Sequence, residues 1–229
     1  MENIDLQNVE KLVTGRTEQL RQAISALERS YDITLESLGN ALSLKDPHTE
    51  HHCKRVTAFS ISIARALGQA ADQIRVTARG AFLHDIGHLA TPSVILRKPN
   101  TLTSDEVKIM RTHCIHGYDL VRKIPFLAEP AEIIYAHHER LDGTGYPRGL
   151  KGEEIPLGAR IVSVADAFDV ITSGTPYRKA QSVQAARNEI EHWSSNQFEP
   201  RVVEAFLRIP DREWQELRDG IDAGRQLQQ

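Results

Sequence analysis

Ten histidines stand in this 229-residue chain, and nine of them fall between positions 48 and 138. They form four tight groups: His48/His51/His52, His84/His88, His113/His116 and His137/His138. Residues three or four apart on a helix share a face, so the spacing predicts that His48 pairs with His52, His84 with His88, and His113 with His116. Imidazoles offered inward by several helices are how a bundle builds a metal site in its core. Asp85 adjoins His84, and Asp166 stands in the apolar stretch RIVSVADAFDVI, where a carboxylate is costly to bury without a cation. Imidazole nitrogen with carboxylate oxygen suits iron, manganese, zinc, nickel or cobalt. Two such ions about 3.5–4 Å apart, bridged by a carboxylate, can hold a hydroxide between them and bind both sides of a phosphodiester. Because such a bond is very slow to break unaided, charge neutralisation has most of the barrier to remove.

Seven residues fit this chemistry together: His52, His84, Asp85, His113, His137, His138 and Asp166. A histidine standing alone on a helix is more often a surface or satisfied core residue, which is the reading for His192, and also for His51 and His116. Asp46 is a plain helix cap. Cys53 and Cys114 each follow a candidate ligand, but on a helix successive residues point about 100° apart, so both are expected to be small core residues facing away.

The elements that must carry these groups read as helices. Positions 4–42 form one long amphipathic segment, with Leu6, Val9, Val13, Leu20, Ile24, Leu27, Tyr31, Leu38 and Leu42 three or four apart in most steps. Arg16, Thr34 and Gly15 are defects in that seam. A narrow heptad-like stripe predicts a coiled coil that dimerises the protein. Helical spacing recurs near 49–67, 71–86, 104–123, 128–139, 158–172, 180–194 and 200–208, with a capping box between Thr103 and Glu106. No period-two strand stands out. The segment LDGTGYPRGLKGEEIPLG (141–158) is a long irregular loop with five glycines, of the kind that usually serves function. The expected organisation is an N-terminal helix over 1–42, a metal-binding domain over 43–210, and a short helix and tail over 211–229.

Composition narrows the partners. A chain of this length buries roughly 70% of its unfolded surface and needs neither disulfide nor structural metal to fold. The net charge of −3 supplies no basic field for polymeric nucleic acid. Two distant cysteines outside any C-x-x-C arrangement fit a reducing compartment. No leader peptide and no apolar run of about 20 residues is evident, so the cytoplasm is the expected location.

Several motifs carry a family resemblance. H-D-I-G at 84–87, H-H-E-R-L-D-G-T-G-Y-P at 137–147, D-P-H-T-E-H-H at 46–52, M-R-T-H-C-I-H-G at 110–117 and D-A-F-D at 166–169 resemble the HD-GYP domain of the HD phosphohydrolases, from about Ser43 to Leu207. The resemblance implies an all-α, HD-type helical bundle with a buried metal centre, like the output domain of a response regulator behind an upstream receiver or sensory domain. It implies hydrolysis of cyclic di-GMP to pGpG and GMP with two or three ions, often iron or manganese. It implies metal ligation by the seven residues above, with Asp85 bridging. Tyr146 would bond the substrate phosphate, Gly143 and Gly145 would let the loop bend, and Arg178 would approach the phosphates. Three positions depart from the family pattern. His88 replaces a lysine that contacts the scissile phosphate; it could donate a proton or become an extra ligand. His48 replaces a glutamate, which leaves a third ion open. Thr175 stands where arginine is common. The alternatives are therefore a slower enzyme, a hydrolase of another cyclic dinucleotide, or a cyclic dinucleotide-binding signalling module.

Overall fold

A computed structural model of the chain describes residues 2–46, 49–173 and 179–226. Contacts divide the chain into two units, 1–37 and 38–229. The first consists of helix α1 (Glu2–Lys45), whose last turns belong to the second unit. Within the first unit, Val9, Val13, Leu20, Ile24 and Leu27 are about half exposed, as are Leu12 and Ile33 beside them.

The second unit is built from helices α2 (Thr49–Ala66), α3 (Ala71–Leu83), α4 (Ser93–Leu96), α5 (Ser104–Arg111), α6 (His113–Val121), α7 (Ala128–Ala136), α8 (Leu157–Ser173), α9 (Val183–His192), α10 (Pro200–Arg208) and α11 (Asp211–Gln226). Among the described residues there is no strand, only one bridge between Ser194 and Phe198. No helix among them is long and apolar enough to cross a membrane.

Helix α2 lies against α3, α8, α10 and α11. Its apolar positions Val56, Phe59 and Ile63 recur at helical spacing and are fully buried, as are Ile161, Val164 and Phe168 on α8. The aromatic rings interlock. Phe59 meets Phe168 at 5.0 Å and Trp214 at 5.4 Å between centroids, and Phe206 meets Trp214 at 5.3 Å. Edge-to-face and tilted contacts of this kind stabilise by about 0.5–1.5 kcal/mol each beyond the area they bury. Trp214 makes α11 a member of the core, whereas the sequence reading set 211–229 apart as a terminal appendage.

Candidate metal centre

Helix ends, more than helix faces, position the histidines. The segments read as 71–86, 104–123 and 128–139 stop early: α3 ends at Leu83, α5 and α6 break at Thr112, and α7 ends at Ala136. His84, His113 and His137 each stand immediately beyond one of these points. The last carbonyls of a helix have no intrahelical partner. Each of the three imidazoles donates Nδ1–H to the carbonyl three residues back: His84 to Ala81 at 2.7 Å, His113 to Met110 and His137 to Ile134 at 2.8 Å. A carbonyl can only accept, so the proton is on Nδ1 and the Nε2 lone pair is left for another partner.

Those lone pairs converge. His113 Nε2 and His137 Nε2 lie 3.2 Å apart, with both Nδ1 atoms already donating, so a proton or a cation is needed to reconcile them. Asp85 sits among the rings with its two oxygens turned to different sides. Its Oδ2 is 3.3 Å from His84 Nε2 and 3.8 Å from His52 Nε2, and its Oδ1 is 3.5 Å from His88 Nε2 and 3.7 Å from His113 Nε2. Asp166 Oδ1 is 3.3 Å from His52 Nε2. His138 lies beside His137 and 5.1 Å from the His113 ring. This donor set fits divalent cations, and the three-donor groupings His52/His84/Asp85 and Asp85/His88/His113 share the aspartate.

Gly87 makes the convergence feasible. A Cβ there would lie 1.8 Å from the His113 carbonyl oxygen and 2.6 Å from the Gly117 amide, so a side chain would force the Asp85 turn away from α6.

The same crowding shifts the protonation of the rings. Burial pushes His138 and His88 down to about 4, with neighbouring imidazoles adding to the effect, and it drives His137 well below the ordinary imidazole range. His52 goes the other way. Burial opposes its charge, but the bonds to Asp166 and Asp169 raise it to about 10. Burial also works against ionised Asp85, yet His84, His88 and His113 hold it well below the carboxylate range.

A loop covers one side. Glu139, buried, accepts from the amides of Arg148 (2.7 Å) and Leu150 (3.1 Å) and so folds the glycine-rich segment back on itself. Gly145 passes so close to this turn that a Cβ would lie 2.4 Å from the Arg140 amide nitrogen. Gly143 has φ +83, a conformation that favours glycine. The Tyr146 amide donates to the His138 carbonyl, its ring lies 4.9 Å from the His138 ring, and the Arg111 guanidinium stands 4.7 Å above it. Burial raises the Tyr146 phenol, which keeps it a hydrogen-bond donor.

The structure thus brings together His52, His84, Asp85, His88, His113, His137, His138 and Asp166, with Gly145 and Tyr146 alongside. His48, Thr175 and Arg178 lie outside the described residues. His116 and His192 are exposed. Two expectations need correction. His84 and His88 do not share an α-helical face, because α3 has ended and His88 enters on a 3₁₀ turn, Ile86–Ala90. Cys114 does not face away: its Sγ is 3.5 Å from His113 Nε2. The His113 ring folds back over the broken helix end toward Met110, which carries Nε2 across its neighbour.

Residue-by-residue reading overlooked Asp169 and Arg111. Asp169 accepts from His52 Nδ1 at 2.8 Å and is held by Arg55 (2.6 and 3.0 Å) and Ser173 (3.0 Å). Its spacing of three from Asp166 on an apolar helix was the available signal. Arg111 had none, since an exposed arginine in a helix is ordinary.

Comparison with known proteins agrees with this geometry. A family model described as HD domain matches residues 36–202. The cyclic di-GMP phosphodiesterase response regulator RpfG of Xanthomonas campestris is 36% identical over 88% of this chain and 54% of its own length. The 3'3'-cGAMP-specific phosphodiesterase 3 of Vibrio cholerae is 35% identical over 83% of this chain and 42% of its own. A crystal structure of a cyclic GMP-AMP-specific phosphodiesterase from V. cholerae has the same fold, with a TM-score of 0.62 at 22% identity, covering 82% of this chain and 50% of that one. The chain spans about half the length of the curated relatives it matches. With the matched model running from the end of α1 to the first turn of α10 and the H-D-I-G and G-Y-P motifs in place around one cluster, the chain belongs to the HD domain family, in its HD-GYP branch.

Proposed function

We propose that this chain is the catalytic part of a metal-dependent phosphodiesterase that hydrolyses cyclic di-GMP to pGpG and/or GMP. The observation that carries the reading is the pair of facing Nε2 atoms of His113 and His137, 3.2 Å apart beside the shared Asp85, with both Nδ1 protons already given to carbonyls. His52, His84, Asp85, His113, His137, His138 and Asp166 would hold two divalent ions, iron or manganese before zinc, nickel or cobalt, and His48 leaves a third open. Bound cations of this kind supply charge neutralisation and water activation for phosphodiester hydrolysis.

The chain's own groups do the rest. Asp169, clamped by Arg55, fixes the ring plane of His52. Tyr146 keeps its phenolic proton for a phosphate oxygen, and Arg111 beside it contributes positive charge, with Arg178 assigned the same task. The phenyl body of Tyr146 covers His138 and limits water on that side. The N-terminal helix is assigned to homodimerisation and to relaying a signal from an upstream receiver or sensory domain, in the cytoplasm.

A second reading is favoured by His88, which burial holds neutral where the family's lysine would be charged. With Thr175 replacing arginine, the cationic clamp is thinner. Each lost charged contact costs about 1.5–3 kcal/mol, tenfold or more in affinity. That suits slow turnover or binding with little catalysis; hydrolysis of another cyclic dinucleotide such as 3'3'-cGAMP, the substrate named for three relatives, is the other alternative. The test is a cyclic dinucleotide panel on metal-analysed protein. Release of pGpG from cyclic di-GMP, lost in Asp85→Ala, supports the first reading. Turnover retained by metal-depleted Asp85→Ala would end it, and faster turnover of 3'3'-cGAMP would move it to the second.

A further inference from the structure

His88 occupies the position at which the family carries lysine, and its surroundings are those of a ligand. Its Nδ1 is 3.1 Å from the hydroxyl of buried Thr91, within hydrogen-bonding range. Its Nε2 is 3.5 Å from Asp85 Oδ1, too long for a hydrogen bond to have fixed the proton there. The Thr91 hydroxyl can accept the Nδ1 proton, the tautomer that leaves the Nε2 lone pair facing the cluster. His84, His113 and His137 have this same arrangement, with a carbonyl in place of the hydroxyl. The His88 ring also stacks on His113 at 4.2 Å, 19° from parallel, and both Nε2 atoms approach Asp85 Oδ1, so one of the two rings must turn for a single ion to lie on both lone-pair axes.

The distances allow one cation between them. Donors each about 2.1 Å from one ion lie about 3.0–3.4 Å apart at octahedral to tetrahedral angles. His88 Nε2 and His113 Nε2 are 3.5 and 3.7 Å from Asp85 Oδ1, and all three donors lie within 4.8 Å of one another. The two nitrogen–oxygen separations need close by only a few tenths of an ångström, and a turn of one stacked ring brings the nitrogens together.

We propose that His88 is a metal ligand, joining Asp85 and His113 around one divalent cation, so that this chain exchanges a phosphate-facing cation for an additional nitrogen donor. Thr91 is the residue that orients it. The proposal rests on the metal-centre reading above and adds to it one further nitrogen donor.

The experiment is cobalt(II) titration of the full chain after metal removal, followed by calorimetry and by the visible d–d absorption, with circular dichroism to check folding. Wild type is expected to bind cobalt with bands that change in shape and intensity in His88→Ala and His88→Lys. Affinity for one ion is expected to fall by at least about tenfold. Thr91→Val, which removes the hydroxyl at nearly constant volume, should shift the same bands with a loss of several-fold. Wild-type affinity and bands in the His88 variants, or in Thr91→Val should both His88 variants fail to fold, would overturn the assignment while leaving the metal centre intact. Wild-type protein that takes up no cobalt would instead overturn the underlying centre.

Discussion

On one side of Asp85, His52 is faced by three carboxylates, those of Asp85, Asp166 and Asp169. On the other side, His113 is faced by His88, His137 and His138. The two halves share a carboxylate yet handle protons in opposite ways. In the acid-rich half a proton on His52 takes the place a cation would fill, and the ring is raised to about 10. In the nitrogen-rich half burial keeps the rings neutral, with His88 and His138 down near 4. The orienting partner sets His52 apart as well: a carboxylate stands behind it, whereas main-chain carbonyls stand behind His84, His113 and His137.

The largest expected effect tests the acid-rich half through its support. Asp169→Asn removes the charge that both orients His52 and pairs with Arg55. Breaking a buried pair costs about 3–5 kcal/mol, and loss of an orienting partner about 10–100-fold in metal affinity. Thermal denaturation and metal titration should show both losses. An unchanged metal affinity would mean that Asp169 is purely structural.

Next in size is Tyr146→Phe, on the loop against the nitrogen-rich half. Removing one bond to a charged oxygen is expected to lower kcat/KM by about tenfold or more, with metal content unchanged. A loss of metal would move Tyr146 from substrate binding to cage support.

The pH dependence of metal-free stability should separate the halves. The contribution of His52 is present below 6.5 and lost as pH rises through about 10. The neutral rings do the reverse: their contribution is present above 6.5 and lost as pH falls toward 4. Denaturation midpoints should therefore decline on both flanks, and His138→Gln should make the acid flank shallower while leaving the alkaline flank unchanged. A profile level from pH 4 to 6.5 would remove the distinction.

The smallest signal is a proton count. Metal uptake near neutral pH should release a proton from His52, with His84, which Asp85 also raises against the pull of burial, adding to the count. Calorimetry in buffers of different ionisation enthalpy reads this directly, and release of no proton would contradict the raised value at His52.

Residue types, spacing and the H-D-I-G and G-Y-P motifs made the cluster legible without coordinates, because metal chemistry restricts donors to few side chains. The all-helical fold was legible from the spacing of residues such as Val56, Phe59 and Ile63. Capping of α5 by Thr103 and Glu106 was legible too, because it is decided within four residues. Helix ends were not. The periodicity of 71–86 and 128–139 runs on past Leu83 and Ala136, since a histidine at a helix end fits the pattern as well as one inside it.

Tertiary structure alone decided which histidines turn back to cap those ends, that Cys114 lies against His113, and that Asp169 stands behind His52. Local sequence names the donors. Their direction depends on which carbonyls are left unpaired and on which neighbours, such as Gly87 against His113, come close enough to fix the turn. Gly87 against His113 and Asp169 behind His52 join residues far apart in the chain, and no local pattern encodes them.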